Sequence, residues 1–198
     1  METIIISGPT GSGKTTLSKQ ILSKVNNGII LNTDMYYKTG IKSKILSKLI
    51  KGYFDRKISF NYQLFKEDLL FILKNCKFNH KYTYDFKNKT VKKSFIKKSK
   101  IDYLIIEGIF SKELLGVIKK YRFFLIEIKI KKKSCMSRVI KRDVNERGKS
   151  ENLAKQEFLK SWDLYYLRNR KKYFKYNINQ LIYTENNDLN FLLEKLSI

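Results

Sequence analysis

Short β-branched apolar runs alternate along this chain with longer stretches whose apolar residues recur at helical spacing. Thr3-Ile4-Ile5-Ile6 is the first such run and predicts a buried strand. It is followed by a glycine-rich turn and then by Thr16-Leu17-Ser18-Lys19-Gln20-Ile21-Leu22, whose spacing predicts a helix. Gly28 to Asn32 reads as a second strand ending at Thr33-Asp34, Tyr103 to Ile106 as a third closed by Glu107-Gly108, and Phe123 to Ile128 as a fourth. Gln180 to Tyr183 makes a short fifth. Tyr62, Phe65, Leu69, Ile72 and Leu73 share one face of a predicted helix. Tyr82 to Phe86 and Thr90 to Phe95, joined by Lys87-Asn88-Lys89, suggest a hairpin that leaves the sheet. A basic helix begins near Ser134, a long helix carries Phe158, Trp162, Tyr165 and Tyr166, and Leu189, Leu192, Leu193 and Leu196 predict a C-terminal helix.

Strands alternating with helices argue an α/β fold: a five-stranded parallel sheet with helices on both faces, three layers in all. No repeat, low-complexity tract or proline-rich linker interrupts residues 1–198, which predicts one domain. Right-handed crossovers bring the C-terminal strand ends to one edge, where ligands bind in such sheets. That edge should gather the glycine turn, Asp34 and Glu107.

The turn itself is Gly8-Pro9-Thr10-Gly11-Ser12-Gly13-Lys14-Thr15, a complete G-x-x-x-x-G-K-T phosphate-binding loop in strand–loop–helix context. Gly8, Gly11 and Gly13 let successive backbone N–H groups, with those of Ser12 and Thr16, curl round a phosphate. The helix N-terminus adds its positive end. Lys14 is expected to reach the β- and γ-phosphates and the Thr15 hydroxyl to take a place on Mg²⁺. The ligand is therefore a nucleoside triphosphate, ATP or GTP. Glu107 ends a hydrophobic strand, the place of a metal-binding carboxylate. Asp34, at the neighbouring tip, is placed to accept a proton from an attacking hydroxyl and to orient the metal.

A second constellation follows in Ser137-Arg138-Val139-Ile140-Lys141-Arg142-Asp143-Val144-Asn145-Glu146-Arg147-Gly148-Lys149. Arg138 and Arg142 are four apart and share a helix face, and Gly148 marks the stop. Guanidinium groups carried over a γ-phosphate stabilise the charge of phosphoryl transfer, and a lid at about residues 134–150 would expel competing water.

Composition narrows the picture less. The 198 residues are 42% hydrophobic, including 14% aromatic, as in a globular protein. No apolar run approaches the roughly 18 residues of a membrane span. The chain starts directly into a strand, which leaves no room for a secretory leader, and with Cys76 and Cys135 in no metal spacing it suggests a cytoplasmic protein with reduced thiols. His80, the single histidine, excludes a multi-histidine metal site and reads as a loop residue. The formal charge of +24 would suit nucleic acid. However, lysine greatly outnumbers arginine, and Ala154 and Pro9 are the only alanine and proline, so AT-rich codon usage explains much of the charge. Nucleic acid is accordingly an unfavoured but open partner, through either basic-surface binding or an RNA-modifying activity of the tRNA dimethylallyltransferase type, whose loop this one also resembles.

The phosphate loop, Asp34-Met35-Tyr36-Tyr37, Tyr53-Phe54-Asp55, Tyr84-Asp85-Phe86, Ile105-Ile106-Glu107-Gly108-Ile109 and Lys141-Arg142-Asp143-Val144-Asn145-Glu146-Arg147-Gly148 stand in one order. That order resembles the uridine kinases of the uridine–cytidine kinase and phosphoribulokinase group. The likeness spans roughly residues 3 to 185 and implies a cytoplasmic P-loop kinase of pyrimidine salvage. By position it implies Asp34 as base for a ribose 5′-hydroxyl, with Thr15, Asp34 and Glu107 around Mg²⁺. Asp55 would hold the ribose hydroxyls, and Tyr37, Tyr84 and Phe86 would line the base pocket. Arg142 and Arg147 would contact phosphate or substrate from the lid. The acceptor is then a nucleoside, uridine or cytidine; another nucleoside or a sugar phosphate is the alternative. The resembling enzymes commonly assemble as dimers or tetramers, which implies a homo-oligomer. The chain departs from them in the base-reading segment. Lys89 stands where they carry histidine, their F-D-H-P-D-A-F-D run is Phe54-Asp55-Arg56-Lys57-Ile58-Ser59-Phe60-Asn61, and the second of two paired arginines is Val139.

Overall fold

Five parallel strands in the order β2-β5-β1-β6-β7 form the central sheet of the computed structural model, which describes residues 1–85, 88–98, 100–169, 179–185, 187–196 and 198. In chain order the elements begin with β1 (Glu2–Ser7), α1 (Lys14–Leu22), β2 (Gly28–Asn32), α2 (Ile41–Leu49) and α3 (Tyr62–Asn75). A hairpin of β3 (Phe78–Asp85) and β4 (Thr90–Lys98) follows, then β5 (Tyr103–Glu107), α4 (Leu115–Ile118) and β6 (Phe123–Lys129). The chain continues through α5 (Lys132–Arg147), α6 (Glu151–Asn169), β7 (Asn179–Thr184) and α7 (Leu189–Leu196). The parallel α/β reading of the sequence holds, and the hairpin is a separate two-stranded antiparallel sheet that starts earlier than its aromatic run implied.

Successive side chains of β1 point to opposite faces, and the two cores show it. Ile5 joins Ile29, Leu31, Leu104, Ile106, Phe65 and Leu69 on the face covered by α3 and α4. Ile4 and Ile6 join Leu17, Ile21, Ile105, Ile126, Leu192 and Leu196 on the face covered by α1 and α7. Because both faces are covered, the central strands read as unbroken apolar runs rather than alternating ones. A third small cluster of Cys135, Val139 and Phe158 clamps α5 to α6.

In α2 the apolar Ile41, Ile45 and Leu49 recur at helical spacing but stand exposed, and Ser43 is its only buried residue. Its ends explain its presence instead: Gly40 enters at φ 90, and Ser43 Oγ donates to Lys38 O at 2.7 Å. The expectation that His80 lies in a loop is corrected. His80 is on β3, and its Nε2 lies 3.1 Å from Oδ1 of Asp68. Asp68 is buried on α3 and also accepts from Tyr36 OH at 2.9 Å. A buried carboxylate needs such partners, and they fasten the hairpin base to α3.

Ile105, fully buried in β5 between β2 and β1, tests the sheet. Ile105→Ala should cost about 2–5 kcal/mol, read as a lower urea midpoint with an unchanged slope.

Candidate active site

The parallel register aligns the strand tips. Ile6 of β1 and Asn32 of β2 both pair with Glu107, the last residue of β5. From β1 the chain passes through the glycine loop into α1, which begins at Lys14 with Gly13 before it at φ 92. Only a residue free of Cβ strain enters a helix from that conformation without cost. Gly11 has a second reason to be glycine: a Cβ there would fall 2.5 Å from the backbone oxygen of Cys135, so α5 packs directly on the loop. Gly8 is tight against Ser12 and Ile128 in the same way. Ser12 is buried within the loop, and Thr16 is exposed in the first turn of α1.

Glu107 is almost fully buried. Its Oε1 accepts from Thr15 Oγ1 at 3.0 Å and from the side-chain amide of Asn32. Asn32 also caps the turn Thr33–Tyr36 by accepting from Asp34 N at 2.7 Å, so one amide sets both acids. Asn32 was not among the expected site residues, although an asparagine immediately before Thr-Asp is a turn-initiating signal. Close approach of the two strand ends depends on Gly108, at φ 130, where a Cβ would fall 1.9 Å from Thr33 Oγ1 and 3.3 Å from Asp34 Oδ1.

The charges perturb one another. Burial raises the pKa of Glu107 from 4.5 to about 7, with the Asp34 charge adding to the rise and Lys14 opposing it. Burial likewise raises Asp34, against the attraction of Lys14, Arg142 and Arg147. Burial lowers the Lys14 ammonium, offset by Glu107 and Asp34. These mutual influences bring Lys14, Asp34, Glu107, Arg142 and Arg147 into one electrostatic unit. The Lys14 ammonium donates to Pro9 O at 2.8 Å across the loop.

On α5 the organising group is Asp143, whose side chain is 4% exposed. Arg142 Nε donates to its Oδ1 at 2.8 Å, Arg147 Nη1 lies 3.3 Å from the same oxygen, and Lys149 Nζ donates to Oδ2 at 2.9 Å. Burial would raise the Asp143 pKa, but the hydrogen bonds from Lys149 and Arg142 and the two guanidinium charges outweigh it and hold it below the ordinary range. One carboxylate thus presents three cations together.

Beside Asp34 lies an aromatic cluster. Tyr37 meets Phe54 and Tyr84 edge-on, each pair with centroids 5.1 Å apart, and Phe54 and Tyr84 are 6.1 Å apart. Tyr37 feels the charges of both Asp34 and Asp55. Asp55 Oδ1 accepts from Ser161 Oγ at 2.6 Å. The expected residues Tyr37, Asp55 and Tyr84 therefore converge, whereas Phe86 lies outside the described residues. Lys89 donates to Ser47 Oγ at 2.8 Å and sits 5.9 Å over the Phe54 ring. Arg168, which no sequence signal separated from the surrounding basic run, reaches the backbone carbonyls of Asp55 and Ile109 from α6.

Hard oxygens suit Mg²⁺, and Thr15, Glu107 and Asp34 are oxygen donors gathered beside a phosphate loop. No group of three or more acidic, histidine or cysteine side chains fit for a metal occurs among the described residues. The donor set therefore fits an ion that takes its remaining ligands from water and phosphate, as Mg²⁺ does. No described helix is long and apolar enough to cross a membrane.

The phosphoribulokinase / uridine kinase family matches residues 3–187 of this chain. The protein belongs to that family. It is 30% identical over 152 residues to a uridine kinase of Ureaplasma parvum serovar 3, covering 74% of this chain and 71% of that one. In structure it is similar to the "possible uridine kinase" of Bacillus stearothermophilus, with a TM-score of 0.57 at 16% identity over 91% of this chain and 87% of the other. It is also similar to D-glycerate 3-kinase from Cryptococcus neoformans, with a TM-score of 0.64 at 13% identity over 92% and 85%. At those identities the two structures support the three-layer P-loop kinase fold. Membership makes this chain a P-loop phosphotransferase acting on a hydroxyl group of a small molecule.

Glu107 gives a pH test with a definite sign. Its folded pKa of about 7 lies above its ordinary 4.5, so ionisation costs folded-state stability as pH rises from 4.5 through 7. Glu107→Gln, which keeps an oxygen for Thr15 and Asn32, should stabilise the ligand-free protein at pH 8 by on the order of 2–3 kcal/mol. At pH 4.5 or below the gain should vanish in thermal or urea unfolding.

Proposed function

We propose that the protein transfers the γ-phosphoryl group of ATP to the 5′-hydroxyl of uridine, with cytidine as the second pyrimidine acceptor. The observation that carries this reading is that Asp34 and Asp55 both bear on one aromatic cluster. Tyr37 feels both carboxylates while it packs against Phe54 and Tyr84. A carboxylate pairs well with vicinal hydroxyls, and aromatic faces hold a pyrimidine at small entropic cost. The resemblance of this chain to uridine kinases supports the same acceptor class.

In this reading residues 1–198 form one kinase domain with a lid at about residues 134–150. The triphosphate lies in the loop from Gly8 to Thr16, cradled by backbone N–H groups, with Lys14 against its β- and γ-phosphates. Asp34, raised by burial, accepts the proton of the attacking 5′-hydroxyl. Asp55 fixes the ribose so that the hydroxyl lies in line with the leaving oxygen. Arg142 and Arg147 stabilise the charge spread over the transferring group, and α5 shields it from water. Thr15, Glu107 and Asp34 would hold Mg²⁺, which supplies charge neutralisation at the phosphates.

Asp34→Asn should lower transfer to uridine roughly 10²–10⁴-fold while leaving ATP binding nearly intact, measured by acceptor-dependent ADP release and by ATP titration. A nucleoside panel belongs in the same assay. ADP release with no nucleoside but with a sugar phosphate would reject uridine as acceptor, and release stimulated only by RNA would reject a small-molecule acceptor altogether.

A further inference from the structure

Arg168 is a nearly buried arginine that none of the roles above employs; its side chain is 9% exposed. Burying a guanidinium is costly unless its donors are met. Here two of its nitrogens are met by backbone from two separate loops. Nη1 donates to the carbonyl of Asp55, and Nη2 donates to the carbonyl of Ile109 at 2.7 Å. The guanidinium lies 4.7 Å over the Phe110 ring, and Glu113 Oε1 is 3.9 Å from Nε. The first loop carries the carboxylate assigned to the acceptor, and the second follows directly after Glu107 and Gly108. Seven positions earlier on α6, about two turns and so on the same face, Ser161 holds the Asp55 carboxylate itself. One helix face therefore grips Asp55 by side chain and by backbone.

We propose that Arg168 is a positioning residue that locks the acceptor loop to the loop after Glu107, setting the distance between acceptor and phosphoryl donor. This rests on Asp55 being an acceptor-binding group. The rigid guanidinium fork is what the task requires, because two diverging carbonyls need two N–H groups held in one plane. A lysine at the same place reaches one carbonyl at a time. Its charge also opposes the burial that raises the Asp55 pKa, which favours the ionised form that binds hydroxyls.

The test compares wild type with Arg168→Lys and Arg168→Met, using uridine, ATP and Mg²⁺ as probes. Arg168→Met should raise the uridine KM about tenfold or more and leave the ATP KM within about threefold, with Arg168→Lys intermediate. In combination with Asp55→Asn, Arg168→Met should add little to the uridine KM, since both act through one group. Amide hydrogen exchange in the ligand-free protein supplies a readout that needs no acceptor. Residues 53–56 and 108–110 should exchange faster together in Arg168→Met, while residues 8–16 keep their protection. Equal rises in both KM values, additive effects with Asp55→Asn, or unchanged exchange in both loops would each overturn the proposal. If Arg168→Met does not fold, Arg168→Lys carries the same comparisons. If wild type turns over no nucleoside, the functional reading fails on its own, and loop exchange alone then decides the role of Arg168.

Discussion

Everything in this site depends on gathering one ammonium and two carboxylates in a nearly dry space at the tips of three parallel strands. Lys14, Asp34 and Glu107 are each pushed by burial toward neutrality and pulled back by one another. Such an arrangement is unfavourable for an isolated charge, and it is tolerated because each group has a nearby opposite charge or a hydrogen-bond donor. Its use is electrostatic: fixed charges in a water-poor site act on a transferring phosphoryl group far more strongly than they would in water.

Backbone geometry makes the gathering feasible. Gly108 removes the one Cβ that would separate the turn bearing Asp34 from the end of β5, and Asn32 ties both acids through a single amide. Gly11 removes the Cβ that would hold α5 off the loop, which lets the helix bearing Arg142 and Arg147 rest on the phosphate cradle. Asp143 then solves a separate problem. Three neighbouring cations repel one another, and one buried carboxylate holds all three at a common place.

The Asp55 loop is held from α6. Ser161 and Arg168 reach the Asp55 loop from one helix face, and α6 is itself clamped to α5 by Cys135, Val139 and Phe158. The two helices that follow β6 therefore bear on separate parts of the site, α5 on the glycine loop and α6 on the Asp55 loop. Against the same aromatic cluster, Lys89 sits over Phe54 and donates to Ser47 Oγ.

The sequence by itself determined what depends on neighbours along the chain. The glycine loop declares its chemistry within eight residues, and buried parallel strands announce themselves as unbroken apolar runs because both faces are covered. Asp34 and Glu107 were legible because each follows such a run directly. Only the tertiary structure decided the contacts that join distant segments. Thr15 and Glu107 are 92 positions apart, and Arg168 and Asp55 are 113 apart. Arg168 looks like any solvated cation, since it precedes Asn169, Arg170, Lys171 and Lys172. His80 looks like a loop residue until α3 presents Asp68 to it. Helix α2 spaces Ile41, Ile45 and Leu49 as a buried stripe would, yet all three are exposed. Burial, which turns a common cation or acid into a functional one, arises where helices and strands meet, and local spacing carries no record of it.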